Sequence, residues 1–160
     1  MTRPLYIFDL DGTIADLKHR RHFVERPSLK CYDCGGKNWK NCAQCGDLDA
    51  GFKPNWDAFH AACVNDTPIQ PVVNIFQDLY AANNDIWIWS GRMSTVRDET
   101  VNWLAEHLGL HSGGAGRLKM RPAGDYTVDH ELKQHWLNQL HPEDRDRLVA
   151  VFDDRNQVVD

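Results

Sequence analysis

Asp9 and Asp11, two positions apart, close the apolar run Leu5-Tyr6-Ile7-Phe8 and precede Gly12-Thr13. Two ionised carboxylates about 4 Å apart repel by roughly 4 kcal/mol at an effective dielectric near 20. Such a pair needs a bridging cation or a proton on one partner. Oxygen-only ligands facing a phosphate favour Mg²⁺. One carboxylate can then attack phosphorus while the other carries the proton. The competing reading is a strand followed by an acidic turn, since Asp-Gly is common in turns.

Three later stretches could complete such a site: Ser90-Gly91-Arg92 behind Ile86-Trp87-Ile88-Trp89, Lys133 in a helical pattern, and Asp153-Asp154 behind Leu148-Val149-Ala150-Val151-Phe152. Taken singly, Ser90 fits a strand-end turn, Lys133 a solvated helix face and Asp153-Asp154 a turn. Their joint order argues for one site. Asp129 and Lys133 lie four apart, so they share a helix face and can pair. Arg92 either clamps a phosphate bidentately or pairs with Asp98 or Glu99. Arg121 and Asp125 either frame the site or belong to a structural loop.

A second constellation has different chemistry. Cys31-x-x-Cys34 and Cys42-x-x-Cys45 are followed by Gly35-Gly36 and Gly46. Four sulfurs in two close pairs suit a structural tetrahedral Zn²⁺ site, with a redox pair as the alternative. His19 or His22 could replace one sulfur. Cys63 sits on an apolar helix side and reads as core.

The elements that must hold these residues follow from pattern. The 160 residues fit one domain, 1–160, with ordinary hydrophobic (42%) and charged (26%) content. The net charge of −5 advertises no broad nucleic-acid surface. Neither an apolar leader nor a membrane-spanning run is present, so the expectation is a soluble, cytoplasmic protein. Five cysteines in that setting argue against a disulfide framework.

Apolar runs predict strands over 4–9, 86–89, 118–121 and 148–152. Helices are expected from the Asn55 cap to Val64, from Pro71 to about Asn83, from a Ser94 or Thr95 cap to Leu108, and from an Asp129 cap through Leu140. Residues 17–53 break this pattern and read as a cap-like insertion above the sheet edge. Their basic run, Lys18 to His22, either guides an anionic substrate or is a solvated loop. The fold class is α/β, a Rossmann-like, mostly parallel sheet with helices on both faces. Such sheets bind ligands beyond their carboxyl ends, where Asp9, Ser90 and Asp153 would converge.

With these motifs in order, the chain resembles the haloacid dehalogenase-like phosphohydrolases. Trp89-Ser90-Gly91-Arg92 and Asp153-Asp154-Arg155-Asn156-Gln157-Val158-Val159 are similar to the 3'-phosphatase domain of phage polynucleotide kinase-phosphatases and to stand-alone phage phosphatases. The resemblance implies that Asp9 is a nucleophile forming an aspartyl-phosphate and that Asp11 is the acid and base. It implies Mg²⁺ held by Asp9, the Asp11 carbonyl and Asp153 or Asp154. Ser90, Thr13, Gly91, Arg92 and Arg121 would contact the phosphoryl group or substrate, and Lys133 would offset developing charge. The expected substrate is a phosphorylated nucleotide or a nucleic-acid 3' end, in a host cytoplasm if the protein is phage-encoded. No Walker-type kinase motif is present. The resemblance implies a short segment where this chain adds the cysteine knuckle, and another helix and strand, with Val158-Val159 as the start of that helix. The alternative is an inactive phosphatase scaffold whose zinc knuckle binds nucleic acid or protein.

Overall fold

Four parallel strands form the centre of the computed structural model, which describes residues 2–25, 52–110 and 117–155. Chain order is β1 (Leu5–Asp9), β2 (Ala15–Asp16), a 3-10 helix (Lys18–Phe23), α1 (Trp56–Ala61), a 3-10 turn (Ala62–Asn65), β3 (Thr67–Pro68), α2 (Gln70–Ala81), β4 (Asp85–Met93), a 3-10 turn (Ser94–Val96), α3 (Arg97–Leu108), β5 (Leu118–Arg121), α4 (Asp129–Asn138), α5 (Pro142–Asp146) and β6 (Leu148–Phe152). The main sheet runs β5-β4-β1-β6, and β2 pairs antiparallel with β3. The four cysteines of the expected knuckle, residues 111–116 and residues 156–160 lie outside the described residues.

Alternation along the strands sends successive side chains to opposite faces. Phe8, Ile86 and Ile88 join Val73, Phe76, Trp103, Leu104 and Leu108, which come from α2 and α3. Leu5, Ile7 and Trp89 face the other way and meet Leu132 and Trp136 of α4. Trp89 and Trp136 pack edge to face at 5.8 Å. Trp136→Ala would cost about 3–5 kcal/mol and loosen the helix that carries Lys133.

Some boundaries differ from the sequence reading. β4 runs past Trp89 to Met93, and its register with β5 shifts between Ser90 and Met93. Asn55 does cap α1, accepting from Ala58 N–H at 3.0 Å. The expected caps Ser94, Thr95 and Asp129 do not act as such: Val96 precedes α3 and Val128 precedes α4. Asp129 is instead the first residue of its helix, which frees its carboxylate for side-chain partners.

The largest departure is at the start of the expected insertion. Residues 18–23 pack into the domain, and Arg20 is wholly buried. Lys18 to His22 is a 3-10 helix and not a loop, with Arg20 turned inward and Lys18, His19, Arg21 and His22 exposed. His19 and His22 are also otherwise engaged, His19 with Asp66 at 2.8 Å and His22 Nδ1 with the His19 carbonyl. Cys63 is fully buried in the core.

Candidate active site

The parallel register places the ends of β1 and β6 side by side, Phe8 opposite Phe152. Asp9 and Asp153 therefore leave the sheet at the same edge. One oxygen from each of Asp9, Asp153 and Asp154 lies within 4.8 Å of the others. Just past Asp11 the chain turns at Gly12, whose φ is +93°, and any Cβ there would run into the Asp154 carboxylate.

Lys133 reaches this cluster from α4. Its ammonium is 2.7 Å from Asp9 Oδ1, 2.7 Å from Asp153 Oδ2 and 3.0 Å from Asp129 Oδ2. The Asp129–Lys133 pair expected from their spacing is present. Arg121 also touches Asp129, at 3.3 Å, and Gly91 allows that approach, since a Cβ at 91 would strike the Asp129 carboxylate. Thr13 Oγ1 donates to Asp9 Oδ2 at 3.4 Å.

The electrostatics of this cluster favour a cation. Burial pushes the Asp9 carboxyl up to about 8, and the neighbouring Asp153 and Asp11 charges add to the rise, against the pull of Lys133. Burial, then the Asp153 charge, also raises Asp154. Burial works to lower Lys133, but Asp9 and Asp129 hold it above the ordinary lysine value. Three converging carboxylates, all oxygen donors, fit a hard divalent ion such as Mg²⁺. An ion there would return Asp9 to its charged form.

Asp11 lies in a different environment. Arg92 donates to it through Nε at 2.9 and 3.1 Å and through Nη2 at 2.6 Å, and Arg20 Nη2 adds a bond of 2.6 Å. Burial works to raise its pKa, yet Arg92 and Arg20 outweigh it, and Asp11 stays below the usual carboxylate range. Its carboxylate is not part of the Asp9–Asp153–Asp154 group.

Asp66 completes this second cluster. It accepts from Arg20 at 2.7 and 2.8 Å and from Arg92 at 2.6 Å, while its own carbonyl accepts from Trp103 Nε1 at 2.8 Å. Arg92 is wholly buried. The structure thus places it behind Asp11, with Thr100 Oγ1 as a further partner at 3.4 Å, and not on a substrate phosphate or on Asp98 and Glu99. Ser90 is also fully buried, its Oγ accepting the Arg92 N–H at 3.2 Å. Gly91 is the part of that motif that lines the open cleft.

Arg20 and Asp66 were missed by sequence reasoning. A basic run hid the first, and nothing local marks the second; only the fold joins them across 46 residues. Arg121 is bound to the Gly91 carbonyl at 2.9 Å and to the carbonyls of Asp125 and Thr127, so it supports the loop before α4 as well as reaching Asp129. The cleft above Asp9 has a volume of about 540 Å³. Its floor includes Asp9, Asp11, Gly91 and Asp154. Among the described residues, no helix is long and apolar enough to cross a membrane.

Comparison with known proteins adds an independent line. The polynucleotide kinase PNKP phosphatase domain family matches residues 55–160. A chain of the Pnkp1/Rnl/Hen1 RNA repair complex superposes with a TM-score of 0.61 at 22% identity, over 98% of this chain and 38% of that one. A second structure of the Pnkp1/Rnl/Hen1 complex gives 0.60 at 21% identity, over 99% of this chain and 42% of the other. The present chain thus spans about two fifths of those chains. The Class C acid phosphatase from Bacillus anthracis with tungstate bound gives 0.60 at 18% identity, over 99% of this chain and 54% of that one. No curated protein matches the chain.

Proposed function

Because the chain belongs to the polynucleotide kinase PNKP phosphatase domain family, we propose that it removes the phosphate from nucleic-acid 3' ends through an aspartyl-phosphate on Asp9. The observation that carries this reading is the buried Asp9 carboxylate at the end of β1, clustered with Asp153 and Asp154 and 2.7 Å from Lys133. Phosphate monoesters hydrolyse so slowly alone that charge placement must supply most of the acceleration.

In the first half-reaction, an Asp9 oxygen bonds phosphorus as the bond from phosphorus to the 3' oxygen breaks. Asp11, carrying a proton, gives it to the departing oxygen. In the second half, Asp11 as a carboxylate takes a proton from water, whose oxygen bonds phosphorus and releases Asp9. The arginine pair behind Asp11 suits this second role directly. In the first, Asp11 must turn from Arg92 and Arg20 towards the cleft. Lys133 and the N–H of Gly91 offset charge on the phosphoryl oxygens. Asp9, Asp153, Asp154 and the Asp11 carbonyl would hold Mg²⁺, which neutralises phosphoryl charge when bound.

Cys31, Cys34, Cys42 and Cys45 are proposed to hold a structural zinc ion, on the strength of four thiolates in two close pairs. Metal analysis of the purified protein should find about one zinc per chain; none would end that proposal. The activity is tested by phosphate release from 3'-phosphorylated oligonucleotides and from 3'-nucleotides, with Mg²⁺ and with chelator. Release that requires Mg²⁺ is expected. Absence of release from every substrate would favour the inactive scaffold.

A further inference from the structure

The cleft over Asp9 continues well beyond the space a phosphoryl group requires, and two large aromatic side chains line it. Trp56, at the start of α1, is 50% exposed, and Tyr126, in the loop between β5 and α4, is 80% exposed. Rings of this size ordinarily bury most of their surface. Neither is loosely held. The Trp56 ring meets Phe59 edge-on at 5.6 Å, and Asn55 caps the helix that carries it. Tyr126 stands between two anchored residues: Arg121 binds the carbonyls of Asp125 and Thr127, and the Asp125 side chain accepts from Thr127 N–H at 2.8 Å. Only the ring is left projecting.

Two exposed cations reach the same cleft, beside its carboxylates Asp9, Asp11, Glu25, Asp125, Asp129 and Asp154. Arg21 and Arg155 line the same cleft with side chains about half exposed (48% and 52%). Their contacts, Arg21 to Glu25 at 3.6 Å and Arg155 to Asp129 at 3.5 Å, are long. The Arg21–Glu25 pair is exposed on both sides and contributes little, and Asp129 has Lys133 and Arg121 as closer partners, so both guanidiniums can turn to a phosphodiester.

We propose that Trp56 and Tyr126 form a stacking platform for the bases next to the 3'-phosphate, so that a single-stranded nucleic-acid end is bound in preference to a free nucleotide. Every base offers a π-face to such rings, which makes the platform tolerant of sequence. The proposal rests on the phosphatase reading above for its placement of the phosphate.

The test compares a 3'-phosphorylated oligonucleotide with the same chain whose two terminal nucleotides lack bases, in deoxyribo and ribo forms. Backbone charge is then constant and only stacking differs. The parent should favour the base-bearing chain by roughly ten-fold per stacked base, mainly in KM. Trp56→Leu and Tyr126→Leu, which keep apolar bulk without a ring, should each remove about one such factor. The double variant should treat both chains alike. Ile75→Ala, at an exposed position on α2, should leave the preference intact. A parent without base preference, or a double variant that keeps it, overturns the platform. Failure of catalysis would be read separately, by anisotropy with labelled 3'-hydroxyl oligonucleotides. Weakened binding in the double variant upholds the platform even then, and unchanged binding rejects it.

Discussion

Two charge clusters stand side by side at the sheet edge, and they are built on opposite principles. Around Asp11, two guanidiniums, Arg20 and Arg92, meet two carboxylates, Asp11 and Asp66, and the charges balance. Around Asp9, a single lysine serves Asp9, Asp129 and Asp153, with Asp154 close by. The first is a closed network that fixes positions. The second carries excess negative charge, partly relieved where Arg121 and Arg155 approach Asp129. A balanced buried network contributes mainly geometry, because desolvation consumes much of the Coulombic gain. An unbalanced one is poised to attract a cation and to react. The contrast gives Asp9 a cation-seeking setting and Asp11 a tightly paired one, from which the proposed proton transfer must release it.

Substitutions can break that contrast. Asp9→Asn should lower kcat for phosphate release on the order of 10⁴-fold or more while melting stays near the parent's, because an amide cannot act as the nucleophile. A rate within ten-fold of the parent would remove Asp9 from that role. Asp66→Ala should destabilise the fold by about 3–5 kcal/mol, since it leaves Arg20 and Arg92 buried against one carboxylate. Urea titration reads this directly, and a shift smaller than that of Asp154→Asn would reverse the assignment of the two clusters.

The unbalanced cluster also predicts a metal response. At a Mg²⁺ concentration about 100 times the dissociation constant, the parent should gain about 2.7 kcal/mol of stability. Asp154→Asn should gain less, and an equal gain would place the ion elsewhere. The smallest effect expected is for Gly12→Ala. Its φ of +93° and the nearby Asp154 carboxylate make a cost of about 1–3 kcal/mol, measured by the same titration.

Strand and helix order was legible from the sequence because each element announces itself within a few residues. The apolar run Ile86-Trp87-Ile88-Trp89 marked a buried strand, and Leu132 and Trp136 marked a helix, whereas which side chain meets which face is seen only in the fold. Helix starts were less legible. Val96 and Val128 carry no capping side chain, whereas the capping-type residues beside them serve other ends: Ser94 Oγ binds Ala123 N–H, and Asp129 binds Lys133. The basic run around Arg20 was read by composition, and composition cannot say which of several cations turns inward.

Asp-x-Asp-Gly-Thr behind an apolar strand, with Ser90, Lys133 and Asp153-Asp154 following in order, determined the type of chemistry, because strand ends and short turns are local properties. Which carboxylate belongs to which cluster was decided only by the folded chain. Asp9 and Asp11 are two residues apart, yet one turns to Lys133 and the other to Arg92, across 124 and 81 residues respectively. Partner choice between buried charges depends on distance and desolvation, and both exist only once the sheet, α4 and the Lys18–Phe23 helix have packed together.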